Sequence, residues 1–251
     1  MAEVRELGGH HALLKEIRRA AHKGSLTADG WAIAESFHLL DEARRSGASI
    51  RAIVATQQAV NRAAQGVEPV FTVTDAVFAG LTTTEHSHGV LALVRLPSAT
   101  LEDLGSLNVI LDGIQDPGNS GAILRAAEAF GAHAALALRG TVNWANPKAL
   151  RASAGSCFRL PALSGFPLDE ARPRLGTIYA AAAHQGVPID QVDWTQPCTL
   201  AIGSEAHGVS AELSAIATPV RIPTTGVESL NAAVASGVIL YEARRQRNAR
   251  A

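Results

Sequence analysis

The feature that most constrains this chain is its punctuation. Short apolar, β-branched runs recur along it, and each is closed by a glycine or proline turn before a stretch with helical spacing. Leu107 to Leu111 runs into the loop DGIQDPGN, and His133 to Leu138, Gly176 to Ala181 and Thr199 to Ile202 follow the same rule. The run Thr199 to Ile202 stops at Gly203, and Val220 to Ile222 stops at Pro223. Strands that alternate with helices in this way predict α/β layers around a parallel sheet. Helices are expected from about Ser120 to Phe130 and from about Ser229 to Arg247. On the second of these, Leu230, Val234, Val238 and Tyr241 form an apolar stripe that needs a packing partner.

The chain predicts two domains, 1–96 and 107–251, joined by the polar, turn-rich stretch PSATLEDLGS at 97–106. In the first, Trp31, Ile33, Phe37, Leu40 and Ala43 fall near helical spacing, whereas Ile50 to Ala55, Pro69 to Val73 and Val90 to Leu96 read as strands. This half is again expected to be layered α/β with a largely parallel sheet.

Composition narrows the class. With 47% hydrophobic and 18% charged residues the chain is an ordinary globular protein, not a disordered one. No apolar run approaches the roughly 18 residues that span a bilayer. The opening, with Glu3, Arg5 and Glu6, lacks the order of a secretory signal, so a cytoplasmic protein without membrane contact is expected. Cys157 and Cys198 are far apart, with no metal-ligand spacing, and are expected as buried free thiols. The net charge of −1 shows no basic excess of the kind that marks nucleic-acid binders. Basic residues do cluster, as Lys15, Arg18, Arg19 and Lys23 and again as Arg244, Arg245, Arg247 and Arg250. Either cluster reads equally as a solvated helix end or as an RNA contact.

Three segments carry candidate chemistry. The first, 112–132, runs from a strand through a Pro-Gly turn to Asn119 and a helix bearing Arg125 among small residues. Ligands of open α/β sheets gather at such strand ends. Asn119 reads either as a helix cap or as a ligand group, and Arg125 as a cation for an anionic partner. The second, 200–210, places Gly203, Glu205 and Gly208 in a loop that lets backbone approach a flat ligand, with Ser210 capping a helix. His207 in this loop is expected to face solvent. In the third, 221–247, Ser229 reads as a helix cap, which leaves the Asn231 amide for a specific hydrogen bond.

Together the patterns N-x-G-A-I-x-R (Asn119 to Arg125), G-S-E-x-x-G (Gly203 to Gly208) and I-P-x-x-G-x-x-S-L-N (Ile222 to Asn231) resemble the SpoU, or TrmH-type, class of the SPOUT methyltransferase superfamily. The resemblance covers 107–251. Residues 20–96 resemble, more loosely, the family's N-terminal substrate-binding domain, itself similar to a small ribosomal protein, with HGVLALV as its closing stretch. The resemblance implies a catalytic domain threaded into a deep trefoil knot and a homodimer sharing its active sites. It also implies S-adenosylmethionine as methyl donor, held at Gly203, Ile222, Leu230 and the strand end at Ala182, with no metal. NPKALRASAG resembles a further family segment, whose Lys148 and Arg151, with Arg18 and Arg19, would meet RNA phosphates.

The expected reaction is methylation of a ribose 2′-hydroxyl, in ribosomal RNA before transfer RNA. Arg125 would stabilise the developing alkoxide or act with the target phosphate, since a guanidinium stays protonated. Asn119, Glu205, Ser229 and Asn231 would orient Arg125 and the ribose. Two other classes stay open: a non-catalytic RNA-binding or assembly factor on the same fold, and a nucleotide-dependent oxidoreductase. The latter lacks a G-x-G-x-x-G fingerprint.

Overall fold

The computed structural model of the chain describes residues 3–249 except Glu85 and Phe166; Arg250 lies outside the described residues. Two compact units form, Met1–Pro97 with Asn143–Phe158, and Ser98–Val142 with Arg159–Ala251. The segment Asn143–Phe158, which chain order puts inside 107–251, therefore folds with the N-terminal unit.

The chain opens with β1 (Val4–Glu6), α1 (Ala12–Lys23), β2 (Ala32–Glu35), α2 (Phe37–Arg45) and β3 (Ile50–Thr56). It continues through α3 (Val60–Ala63), β4 (Val70–Val73), α4 (Asp75–Ala79) and β5 (Val90–Val94). Then come β6 (Leu107–Asp112), α5 (Pro117–Ala129), β7 (Ala134–Ala137) and α6 (Pro147–Ser153). The remainder is β8 (Ala162–Ser164), α7 (Leu168–Ala171), β9 (Thr177–Ala181), β10 (Val187–Pro188), β11 (Cys198–Gly203), α8 (Ala211–Ser214), β12 (Thr218–Arg221) and α9 (Ala232–Asn248).

In the first unit the strand order is β1-β4-β3-β5-β2. This sheet is mixed, not largely parallel: β1 and β3 run parallel to β4, while β5 is antiparallel to β3 and β2. The direction of β5 is set by its long-range pairing with β3 and β2, which the local alternation of strands and helices does not reveal. Alternate residues of β5 serve two cores. Val90, Ala92 and Val94 pack with α2, α3 and α6, whereas Leu91 and Leu93 pack with α1 and α4. Each fully buried Leu or Ile in these layers contributes about 1.5–3 kcal/mol.

The helical spacing that starts at Trp31 misleads, because Ala32–Glu35 is a strand. Buried along its whole length, it shows no polar alternation to mark it. The helix begins only after Ser36, which turns the chain at φ 122° and accepts the Leu39 N–H at 3.2 Å.

The second unit has the all-parallel order β10-β12-β9-β11-β6-β7-β8. Helices α7 and α8 cover one face over Ile110, Leu136, Ile178 and Ala201. On β6, β7 and β11 lie α5 and α9, which also pack on each other. Strand β6 is buried throughout, as expected between two helical layers.

Two helix starts differ from expectation. Helix α5 begins at Pro117, capped by Asp116, whose carboxylate accepts the Asn119 N–H at 2.8 Å. Asn119 is thus not the cap, and Arg125 sits on the third turn. Helix α9 begins at Ala232, and Asn231, not Ser229, is its cap. The stripe expected to be packed is also displaced. Ile239, Leu240 and Ala243 face inward, whereas Val234, Val238 and Tyr241 are exposed and Leu230 precedes the helix.

Cys157 and Cys198 are free and buried. Burial pushes the Cys198 thiol above its ordinary pKa, although the nearby Arg247 guanidinium pulls the other way. Among the described residues no helix is long and apolar enough to cross a membrane.

Candidate active site

The site is assembled where strands of the second unit end. Strands β6 and β11 stop side by side, with Asp112 opposite Gly203. A side chain at Gly203 would collide with the backbone of Gly208 and Val209, so only glycine permits the tight turn that follows. Ser204 N–H donates to Gly208 O at 3.0 Å and Gly208 N–H returns to Ser204 O at 2.8 Å. Gly208 itself takes φ 68°, a region open to glycine at little cost. The loop therefore projects Glu205, Ala206 and His207 as a small exposed tongue. Its far end is pinned where Ser210 N–H donates to the buried Asp112 carboxylate at 2.6 Å. Ser210 also caps α8, as its position predicts.

Beneath the tongue lies a cavity of about 590 Å3. Gly203, Ile222, Leu230 and Ala182 all line it, as do Glu205, Ser229 and Asn231. Ile202, Val220 and Ile239 add apolar wall, and Gln185 and His207 polar groups. Its size falls within the roughly 300–1,000 Å3 of small-molecule sites, and its apolar walls with a few polar groups suit a nucleoside-sized ligand.

One hydrogen-bonded chain joins all three segments. Asn231 Oδ1 accepts from Ala233 N–H at 3.0 Å and Val234 N–H at 3.3 Å. Its amide nitrogen donates to Asn119 Oδ1 at 3.0 Å, and Asn119 Nδ2 donates to Glu205 Oε1. Asn119, itself not among the lining residues, is thus held at the cavity's rim by two residues that are. Arg125 is not among the cavity's lining residues; it is exposed on α5 and makes no hydrogen bond among the described residues. Ser229 is exposed and lines the cavity.

The four expected RNA-facing cations separate into different settings. Arg18 donates from Nε to Gly80 O at 3.2 Å, whereas Arg19 is exposed. Arg151 is bound to the buried Glu35 carboxylate at 2.7 Å, and Lys148 is exposed on the first turn of α6. Sequence patterns gave no sign of a second cavity, of about 810 Å3, in the first unit. Phe37, Gln58, Thr84 and His88 line it with Arg62, whose guanidinium lies 4.1 Å over the Phe37 ring and 3.2 Å from Asp41. No local motif joins Phe37 to Arg62; only the fold brings them together.

Residues 106–241 match the pattern described as the SpoU rRNA methylase family, and 12–92 match an MRM3-like substrate binding domain. The chain belongs to the SpoU rRNA methylase family. This SpoU protein is 28% identical over 239 residues to the 23S rRNA (guanosine(2553)-2′-O)-methyltransferase RlmP of Bacillus subtilis, covering 92% of this chain and 95% of that one. It is 32% identical over 250 residues to an uncharacterised tRNA/rRNA methyltransferase of Synechocystis, covering 93% and 91%. The crystal structure of the SpoU methyltransferase AviRb from Streptomyces viridochromogenes in complex with AdoMet superposes with a TM-score of 0.83 at 28% identity. That match covers 95% of the SpoU chain described here and 98% of its relative.

Proposed function

We propose that this protein is an S-adenosylmethionine-dependent methyltransferase acting on a ribose 2′-hydroxyl of 23S ribosomal RNA. The observation that carries the reading is the cavity of about 590 Å3 at the strand ends, whose rim is set by Asn119, Glu205 and Asn231. Named relatives support the substrate, since RlmP is a 23S rRNA 2′-O-methyltransferase and AviRb binds AdoMet.

When bound, the donor supplies an electrophilic methyl on a sulfonium, so the protein's task is alignment and proton management. Gly203, Ile222, Leu230 and Ala182 would hold it through backbone groups and apolar contact. Asn119, Ser229 and Asn231 would orient the ribose. Arg125 would stabilise negative charge developing on the 2′-oxygen. Its exposed, unbonded position on α5 leaves it available to incoming RNA. In the substrate-binding unit the Arg62 guanidinium, backed by Phe37, offers a flat cationic surface for an unpaired base. Arg19 and Lys148 would meet phosphates.

The protein would work in the cytoplasm as a homodimer. Val234, Val238 and Tyr241 on α9, beside Phe130 edge-on to Tyr241 at 5.8 Å, form the apolar face for a second copy. The trefoil knot expected of the family belongs to the same reading.

The test is to incubate the protein with labelled methyl donor and separate pools of ribosomal and transfer RNA, then map alkali-resistant linkages. Label at one ribose of 23S RNA is the expected result. Label on a base, or in transfer RNA alone, overturns the assignment.

A further inference from the structure

The hydrogen-bonded chain at the cavity rim has a fixed direction. Asn231 Oδ1 is taken by two N–H groups of the first turn of α9, so this amide cannot flip without losing both. Its nitrogen must then point outward, and it donates to Asn119 Oδ1. That contact uses the acceptor of Asn119 and turns its own NH2 toward Glu205. This run of donors ends on a group that, as a carboxylate, only accepts. Glu205 is that group. Asn119 holds Oε1, while Oε2 makes no hydrogen bond among the described residues, and the side chain lines the donor cavity.

We infer that Glu205 takes the proton from the ribose 2′-hydroxyl during methyl transfer, an assignment that rests on the function proposed above. The O–H bond breaks, and its proton passes to Glu205 Oε2. The electron pair left on oxygen forms the new O–C bond, and the C–S bond breaks with its pair returning to sulfur. The proton later leaves the carboxyl for water. The sulfonium charge is thereby discharged and no further reactant is needed.

The other candidate groups near the cavity are weaker acceptors. Arg125 is outside the cavity lining, and a guanidinium holds its proton. His207 is the other titratable side chain lining the cavity, and only its backbone N–H, donating to Ser204 Oγ at 3.2 Å, is tied down. No second group orients its ring among the described residues. Glu205, by contrast, is aimed from both ends, by the Gly203–Gly208 turn behind it and by Asn119 beside it.

The experiment uses the full chain, an unmodified 23S RNA transcript and single-turnover methyl transfer. Calorimetry measures affinity for S-adenosylmethionine and for S-adenosylhomocysteine. Glu205→Ala and Glu205→Gln are expected to slow transfer by about 10²–10⁴-fold, the range of a general base, with both affinities within about two-fold of wild type. Added formate should restore Glu205→Ala by at least roughly ten-fold, because a small carboxylate can occupy the vacated space, and should leave Glu205→Gln unchanged. The assignment is overturned by a Glu205→Ala rate within about three-fold of wild type, or by a slow rate that formate does not raise. Failure of the wider reading looks different: the wild-type protein itself would leave no methyl on ribose.

Discussion

Glu35 and Glu205 are both carboxylates at the carboxyl end of a strand, and the two units use them in opposite ways. Glu35 in the first unit is 3% exposed and saturated. It accepts from Thr82 Oγ1 at 3.2 Å, Thr83 N–H at 3.0 Å, Thr84 Oγ1 at 2.6 Å and Arg151 at 2.7 Å. Glu205 in the second unit is exposed and has one amide partner. A carboxylate that low-dielectric surroundings force to fill every acceptor position fixes structure; one oriented by a single bond at a cavity keeps capacity for a substrate. The same contrast sorts the arginines. Arg151 belongs to Glu35 and ties α6 to the threonine loop, whereas Arg125 has no bonded partner among the described residues and can meet RNA.

After Glu205 itself, the largest effect expected from this contrast is at Arg125. Arg125→Ala should lower kcat at saturating RNA by about 10²–10³-fold, equivalent to roughly 2.7–4 kcal/mol of transition-state stabilisation. Its folding stability should change by less than about 0.5 kcal/mol, because the side chain is exposed and makes no hydrogen bond among the described residues. Near-normal turnover at saturating RNA would remove Arg125 from the reaction.

Glu35→Ala should behave in reverse. Breaking a buried pair costs about 3–5 kcal/mol, and the partial exposure of Arg151 places the loss near the lower end, about 3 kcal/mol. Urea unfolding measures it as a fall in midpoint. If the midpoint holds while methyl transfer disappears, the division between a structural and a chemical carboxylate is wrong.

Asn231 tests both sides at once, since it caps α9 and directs Asn119. Asn231→Ala should lose about 1 kcal/mol of stability with the cap. Asn231→Asp keeps a cap acceptor but has no N–H for Asn119, so stability should stay near wild type while turnover falls. Equal turnover in Asn231→Asp and wild type would show that the chain of amides does not set the site.

How far the molecule is legible in its residues alone also differs between the units. In the second, all-parallel strands are continuous apolar runs ended by glycine or proline, so Gly113, Gly203 and Pro223 mark the strand ends where the site forms. The resemblance carried by the three motifs implies that Asn119, Glu205 and Asn231 act together, and one run of hydrogen bonds does join them. What they do not reveal is which asparagine caps, because Pro117 at a first helical position moves the cap back to Asp116. In the first unit the short strand Ala32–Glu35 and the return of β5 depend on long-range pairing that spacing does not encode. Arg151 misleads for a related reason. Its partner Glu35 is 116 residues away, and a cation's neighbours are set by the fold.

The smallest expected effect separates two adjacent cations on α1. Arg19 is exposed without a bonded partner among the described residues, while Arg18 is half-buried and donates to Gly80 O. If RNA lies along this face, each phosphate contact removed should flatten the plot of log affinity against log salt by about 0.7–0.9. Arg19→Ala should show that change with no loss of stability. Arg18→Ala should instead lose about 1 kcal/mol of stability, with the salt slope preserved, because its charge already serves a backbone carbonyl. Filter binding to 23S RNA from about 50 to 200 mM salt resolves such slopes. Identical slopes for the two variants would mean that the bond to Gly80 does not withhold Arg18 from RNA. Bonded and unbonded arginines would then no longer be a guide to which surface of the first unit faces the substrate.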